Sequence, residues 1–184
     1  LLHTGSPEHQ ESGPIYTFKE FQNNIANMDI ANLVTPIVKF SYDALEDIPH
    51  PFDLLFIDGA HEYEAVKNDF DMWSTMLKEG GIIAFHDSVG NSWKDVAKVV
   101  EDNVYFSRHF KNVKFVGSIT YATKVTENTT YDRIRSRMVY VLKYLQGVKK
   151  HMPKPIRKIE HYVVEKCFQR SWIRQEQQLL LDQV

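Results

Sequence analysis

Two short stretches of this chain carry the residue types that do chemistry. The apolar run Phe52-Asp53-Leu54-Leu55-Phe56-Ile57 ends abruptly in Asp58-Gly59-Ala60-His61-Glu62-Tyr63. A second run, Gly81-Ile82-Ile83-Ala84-Phe85, ends the same way in His86-Asp87-Ser88. Carboxylates beside imidazoles can move protons, because histidine titrates near neutral pH. Paired acids can also hold a hard cation through oxygen ligands. Both options require the two runs to be neighbouring strands that release their polar groups at one rim, as open α/β sheets do at the carboxyl ends of their strands.

The elements around these runs fit that requirement. Residues 1–14 are rich in Gly, Pro, Ser, Glu and His and read as a loop. Thr17, with Glu20 three residues on, reads as the capping box of a helix whose apolar face is Phe18, Phe21, Ile25 and Met28. Residues 33–40 form a β-rich run containing Pro36, which suits an edge or a strand start. Residues 41–46 read as a short helical turn, and Pro49 and Pro51 punctuate the chain before the strand 52–57. That strand and 82–85 both read as buried. Between them, Val66, Phe70, Trp73 and Leu77 make one stripe of a helix over about 62–78, stopped by Gly80-Gly81. A helix over about 92–103 and two strands, 113–116 and 119–122, joined at Gly117-Ser118, complete the body. The alternation predicts an α/β fold with a mainly parallel sheet.

Texture changes near Tyr131. Ile134, Met138, Val141, Leu142, Leu145 and Val148 share a helical face, Pro153 and Pro155 interrupt it, and a second helical pattern runs to the end. Charge changes at the same place. Residues 1–130 hold ten Lys and Arg against nineteen Asp and Glu, and residues 131–184 hold twelve against five. An acidic body, 1–130, therefore carries a basic helical appendage, 131–184. Hydrophobic residues make up 43% of the 184, enough for a core. No apolar stretch approaches the roughly 18 residues of a membrane span. The single cysteine, Cys167, excludes an internal disulfide and a cysteine-based metal cage, and a cytoplasmic setting is the expectation.

The passage from Phe52 to Asp87 resembles the class I S-adenosylmethionine-dependent methyltransferases, and within them the branch called methyltransferase family 24. The residues that carry this are Ile57-Asp58-Gly59-Ala60-His61-Glu62-Tyr63, Val66, Asp69, Trp73, Leu77, Gly80-Gly81 and His86-Asp87. Upstream, Thr4-Gly5-Ser6-Pro7-Glu8-His9 and Tyr16-Thr17-Phe18-Lys19-Glu20-Phe21 are similar to the same branch, so the resemblance covers about residues 3–122. It implies a doubly wound, Rossmann-like sheet. The family begins with a strand, a glycine-rich turn against the methionine part of the cofactor, and a second strand ending in an acid for the ribose. This chain shows none of these and starts with Leu1-Leu2 where that acid is expected. The expectation is a truncated domain, a fragment unless its first strands are supplied otherwise, with exposed sheet edges and weak cofactor binding by itself.

The resemblance also implies roles. S-adenosylmethionine would be held by Ser41, Tyr42, Asp58 and Gly59. Asp58, His86 and Asp87 would hold Mg2+ or another divalent cation, with Ser88 as a further candidate ligand where catechol-type relatives place an asparagine. The alternative for both acids is helix capping or cofactor orientation. His61, with Asp58 and Asp87, would make up the catalytic group, His61 as general base; alternatively His61 fixes its loop or touches the cofactor. Ser41 is either an adenine contact or an N-cap. Tyr63 and Asp69 read as structural, Trp73 and Trp93 as packing, and His3, Glu8 and His9 as loop residues open to substrate. Lys143, Lys149, Lys150, Lys154, Arg157 and Lys158 offer contact with an anionic surface, against a solvated face or a homo-oligomer contact. No nucleic-acid motif is present. The function expected is transfer of a methyl group from S-adenosylmethionine to an oxygen of a small molecule or a sugar, with metal assistance optional. The rival readings are a non-catalytic α/β interaction module and a different nucleotide-using α/β enzyme.

Overall fold

A computed structural model describes residues 17–48, 51–90 and 92–148, with no side chains beyond Tyr144. The expectations for residues 1–16, Cys167, the second C-terminal helix and the lysines and arginine of 149–158 lie outside the described residues.

Helix α1 (Thr17–Asn27) begins where the capping residue was read, and its predecessor lies outside the described residues. Three-residue 3-10 turns follow at Ala31–Leu33, Ser41–Asp43 and Leu45–Asp47. The body is β1 (Phe52–Ile57), α2 (Tyr63–Met76), β2 (Leu77–Phe85), α3 (Lys94–Val100) with a π-helical turn at Glu101–Tyr105, β3 (Phe110–Val116), β4 (Ile119–Lys124) and α4 (Thr130–Val148). The sheet order is β1-β2-β4-β3. β1 and β2 are parallel with α2 as their crossover, whereas β4 lies antiparallel between β2 and β3. The α/β, Rossmann-like class stands. The sheet is mixed rather than mainly parallel, because Gly117, at φ +57°, and Ser118 make a two-residue hairpin turn that returns β4 along β3.

One face of the sheet carries the core. Ile57, Ile83, Phe85 and Ala122 pack with Val66 and Phe70 of α2, Val96, Val99 and Val100 of α3, Val104 and Tyr105 of the π turn, and Val139 of α4. A large side chain fully removed from water contributes about 1.5–3 kcal/mol. The inner face of α4 is thus part of this core, so the helix that starts at the expected boundary near residue 130 is packed onto the body. Its first turn is fixed by a reciprocal cap: the Asp132 backbone N–H donates to Thr129 Oγ1 at 3.1 Å, and the Thr129 N–H to Asp132 Oδ2 at 3.0 Å.

Four expectations need correction. Residues 33–40 form no strand: they run without ladder partners among the described residues, and Pro36 removes a donor there. β1 is not buried on both sides: Leu54 is 61% and Phe56 50% exposed. That second face is open to water at these two positions among the described residues. Helix α1 buries none of its residues, and its apolar face is exposed. Gly80-Gly81 does not end α2: the helix passes straight into β2 at Leu77, and the glycines lie inside the strand. There Lys78–Gly81 bulge opposite Asp53, between the pairs Phe52–Leu77 and Leu54–Ile82. A Cβ on Gly81 would sit 2.8 Å from Leu77 Cδ1, 2.9 Å from Lys78 O and 3.0 Å from Asp53 O, so only glycine lets β2 approach β1.

The direct helix-to-strand junction leaves the last carbonyls of α2 without a glycine cap. Lys124 of β4 fills that role, with Nζ donating to Ser74 O and Leu77 O, both at 2.7 Å.

Candidate active site

The parallel ladder brings the two polar segments together. After the last pair, Ile57 with Phe85, one more backbone bond runs from His86 N to Ile57 O at 3.0 Å. It holds the ends of β1 and β2 level, so Asp58 and His86 leave the sheet side by side. His86 Nδ1 lies 3.0 Å from Asp58 Oδ1 and 3.3 Å from Asp87 Oδ2. Asp87 reaches this position through a left-handed backbone at φ +52°, a conformation aspartate tolerates better than most residues.

Asp87 Oδ2 also meets His61 Nε2 at 3.3 Å. His61 therefore arrives from the loop between β1 and α2 and joins the same carboxylate as His86. The result is a chain of contacts, Asp58 to His86 to Asp87 to His61. Its far end is held flat by Trp93, whose ring stacks on the His61 imidazole with centroids 3.9 Å apart and planes at 11°. Trp93 read as packing in the sequence; nothing in its spacing pointed to a plate over His61.

Two clefts meet this chain, one at Asp58 and one at His61. A groove of about 550 Å³ runs along β1 and is lined by Ser41, Ile48, Phe52, Asp58, Gly59 and Trp73 among others. A smaller cleft of about 340 Å³ is lined by His61, Glu62, Ser92, Trp93, Lys94 and Asp95. Both are within the size range of small-molecule sites. Ser41 Oγ accepts a hydrogen bond from Trp73 Nε1 at 2.7 Å, which leaves its own hydroxyl proton to donate into the groove. Tyr42 does not line the groove: it is exposed and stacks on Phe40. Asp69 lines the groove beside Gly59, and Tyr63 Oη points to Asp102 Oδ2 at 3.5 Å, tying α2 to the π turn.

The expected metal set, Asp58, His86 and Asp87, is brought together as contacts between its members: Asp58 Oδ1 and Asp87 Oδ2 both approach His86 Nδ1. No group of three or more His, Cys, Asp or Glu side chains among the described residues is arranged to hold a metal. Ser88 is unsuited as a ligand. It is fully buried, donates to Phe85 O at 3.0 Å and accepts from Thr120 N at 2.8 Å, which ties the end of β2 to β4.

Residues 3–88 match the family model described as a methyltransferase domain. An uncharacterised protein of Acanthamoeba polyphaga mimivirus is 37% identical over 79 residues, covering 38% of this chain and 36% of that protein. Among solved structures, one assigned as a caffeoyl-CoA O-methyltransferase of Staphylococcus aureus is 18% identical, with a TM-score of 0.49 over 60% of this chain and 61% of that one. Another, assigned as an rRNA methylase of Clostridium thermocellum, is 13% identical, with a TM-score of 0.45 over 58% of this chain and 69% of that one. The chain spans about a third of the viral protein and about three fifths of the staphylococcal one. The match over 3–88 takes in both strand ends and the acids and histidines they carry, so it is this segment of the chain that is similar to a methyltransferase domain.

Proposed function

We propose that this chain takes part in S-adenosylmethionine-dependent O-methylation of a small molecule or sugar in the cytoplasm, with His61 as the general base. The observation that carries the reading is the contact chain from Asp58 to His61 at the common rim of β1 and β2. The groove along β1 suits the cofactor: its apolar walls accept a flat ring, Ser41 has a free donor, and Asp58 and Gly59 lie at the end nearest the histidines. When bound, S-adenosylmethionine supplies an electrophilic methyl carbon on a positively charged sulfur.

The protein's part is to orient the acceptor and take its proton. With Asp87 accepting from Nε2–H of His61, the imidazole keeps its lone pair on Nδ1. The smaller cleft is where an acceptor hydroxyl can meet that base. Held by Ser41, Asp58 and Gly59 along the groove, S-adenosylmethionine would supply the methyl group that the acceptor oxygen takes. The hydroxyl proton passes to His61, and the Asp87 carboxylate stabilises the imidazolium. Trp93 keeps the ring in plane, and Glu62, Asp95 and Ser92 offer acceptors and a donor for neighbouring hydroxyls of the substrate. This sequence uses no metal.

The test is methyl transfer from radiolabelled S-adenosylmethionine to a panel of hydroxylated acceptors. His61→Ala should lower kcat by about 100-fold or more, within the usual range for general-base removal. Asp87→Asn should lower it less, because the ring stays stacked on Trp93. Full activity in His61→Ala would overturn the assignment of the base. Strict dependence on added Mg2+, abolished by chelation, would overturn the metal-free reading.

A further inference from the structure

At the end of β2 the chain turns away from the sheet within a single residue, Asp87. Just before it, the His86 N–H donates to Ile57 O at 3.0 Å. Just after it, Ser88 is fully buried. The Ser88 N–H donates to Ser118 O at 2.9 Å. Its hydroxyl donates to Phe85 O at 3.0 Å, with Ser118 O second at 3.3 Å, and accepts from the Thr120 N–H at 2.8 Å. Ser118 lies in the turn of the β3–β4 hairpin, and Thr120, itself fully buried, pairs with Phe85 across the ladder. Asp87 therefore stands between two anchored neighbours, and it takes a φ of +52°. Residues with a Cβ disfavour that region, and they persist there only where the surroundings fix them. Relaxation to an ordinary φ would swing the Asp87 side chain off the rim. Held as it is, one oxygen, Oδ2, lies 3.3 Å from both His61 Nε2 and His86 Nδ1.

We infer that Ser88 is a positioning residue of this site: by tying the end of β2 to the β3–β4 hairpin, it holds Asp87 in the left-handed conformation that presents one carboxylate oxygen to both histidines. The Ser88 hydroxyl is spent on the backbone of Phe85, Ser118 and Thr120, so it acts through Asp87 and not by touching substrate. Serine suits the place because one short side chain both donates and accepts. Alanine would leave the Thr120 N–H without that acceptor inside the protein and would free the residue that follows Asp87. The kinetic consequence rests on the reading of His61 as general base; the geometric one does not. Loss of the Ser88 hydroxyl should therefore act like loss of the Asp87 carboxylate.

The experiment compares the whole 184-residue chain with Ser88→Ala, Asp87→Asn and the double variant, in two arms. In the first, diethyl pyrocarbonate modifies the histidines, and peptide mass spectrometry reads the rate at each. Ser88→Ala should speed modification of His61 and His86 together, as Asp87→Asn does. His109, at the opposite end of the hairpin and bonded to Thr126 O, should keep its rate. In the second arm, Ser88→Ala should lower kcat for methyl transfer by about tenfold, as a displaced catalytic group does, with KM for S-adenosylmethionine unchanged. The double variant should be no slower than Asp87→Asn alone, because both changes act on one carboxylate. Should Ser88→Ala fold poorly, Ser88→Cys keeps the shape with weaker hydrogen bonds and should shift both arms the same way, by less. Unchanged rates at His61 and His86 in a folded variant overturn the inference, as does a change at only one of them. So does a kcat loss that adds in full to that of Asp87→Asn. Absence of methyl transfer to every acceptor would instead count against the O-methylation reading, and the modification arm would still decide the role of Ser88.

Discussion

The two faces of the four-stranded sheet are built from the same residue types and meet opposite fates. On the inner face Ile83 and Phe85 are fully excluded from water. On the outer face their immediate chain neighbours, Ile82 and the cross-strand partner Leu54, are 43% and 61% exposed. Hydrophobicity alone therefore does not assign burial; a covering layer does. The inner face has α2, α3, the π turn and α4 above it, while the outer face is open to water at these positions. The candidate site lies at the ends of β1 and β2, where packing on the covered face fixes the strand ends and hence Asp58, His86 and Asp87.

Mutational stability can separate the faces. Phe85→Ala should cost about 3–5 kcal/mol, the range for emptying a packed aromatic site. Leu54→Ala should stay within about 0.5 kcal/mol, as surface changes do. Urea unfolding of both variants reads the difference, and equal costs would show that the outer face is covered in solution. Gly81→Ala comes next, at about 1–3 kcal/mol, because its new methyl meets two backbone oxygens that cannot move aside independently. A neutral result would mean the bulge is looser than the ladder implies. Lys124→Met should cost about 1–2 kcal/mol by leaving the α2 carbonyls without their donor.

The smallest effect is a pH dependence under α4. Lys143 is buried against the Tyr105 ring, 3.9 Å from Glu101, and Tyr140 of its own helix stands beside Tyr105. Burial holds its amine below the usual lysine value of 10.5, against the pull of Glu101. The unfolded chain therefore binds this proton more tightly than the folded one. Stability should rise as pH climbs from the lowered folded value toward 10.5 and fall back as pH drops. Tyr105, pushed upward by burial, works the other way once unfolded tyrosine ionises near 10. On the approach to pH 10 from below, melting temperatures should thus climb in the wild type, and the climb should flatten in Lys143→Met. An identical slope in both would remove Lys143 as its source.

Much of the inner half was legible in the sequence. The runs 52–57 and 82–85 were strands, the stripe Val66-Phe70-Leu77 faced inward, and both acids and both histidines met at one rim. These features repeat with the period of the element that holds them. What escaped lacks such a period. The run 33–40 has strand-forming residues, but a strand needs a neighbour, and no local signal says whether one is at hand. The outer face of β1 had the composition of a buried strand. Trp93 over His61 and Lys124 under α2 are contacts between residues 32 and about 50 positions apart in sequence, decided by tertiary packing. Gly80-Gly81 looked like a helix stop, yet what they permit is close approach of two backbones.

Lys124 ties more than a helix end. It belongs to the hairpin that closes the sheet, and it holds the crossover that joins the two strands bearing the site. Opening the hairpin would strip the final turn of α2 of its donors, so amide protons in both places should exchange with solvent at a common rate. The distal edge of the domain and the segment just ahead of β2 would then loosen as one cooperative unit. In that case a change at β4, far from any substrate, reaches Asp87 through the connection between its own strand and the helix before it.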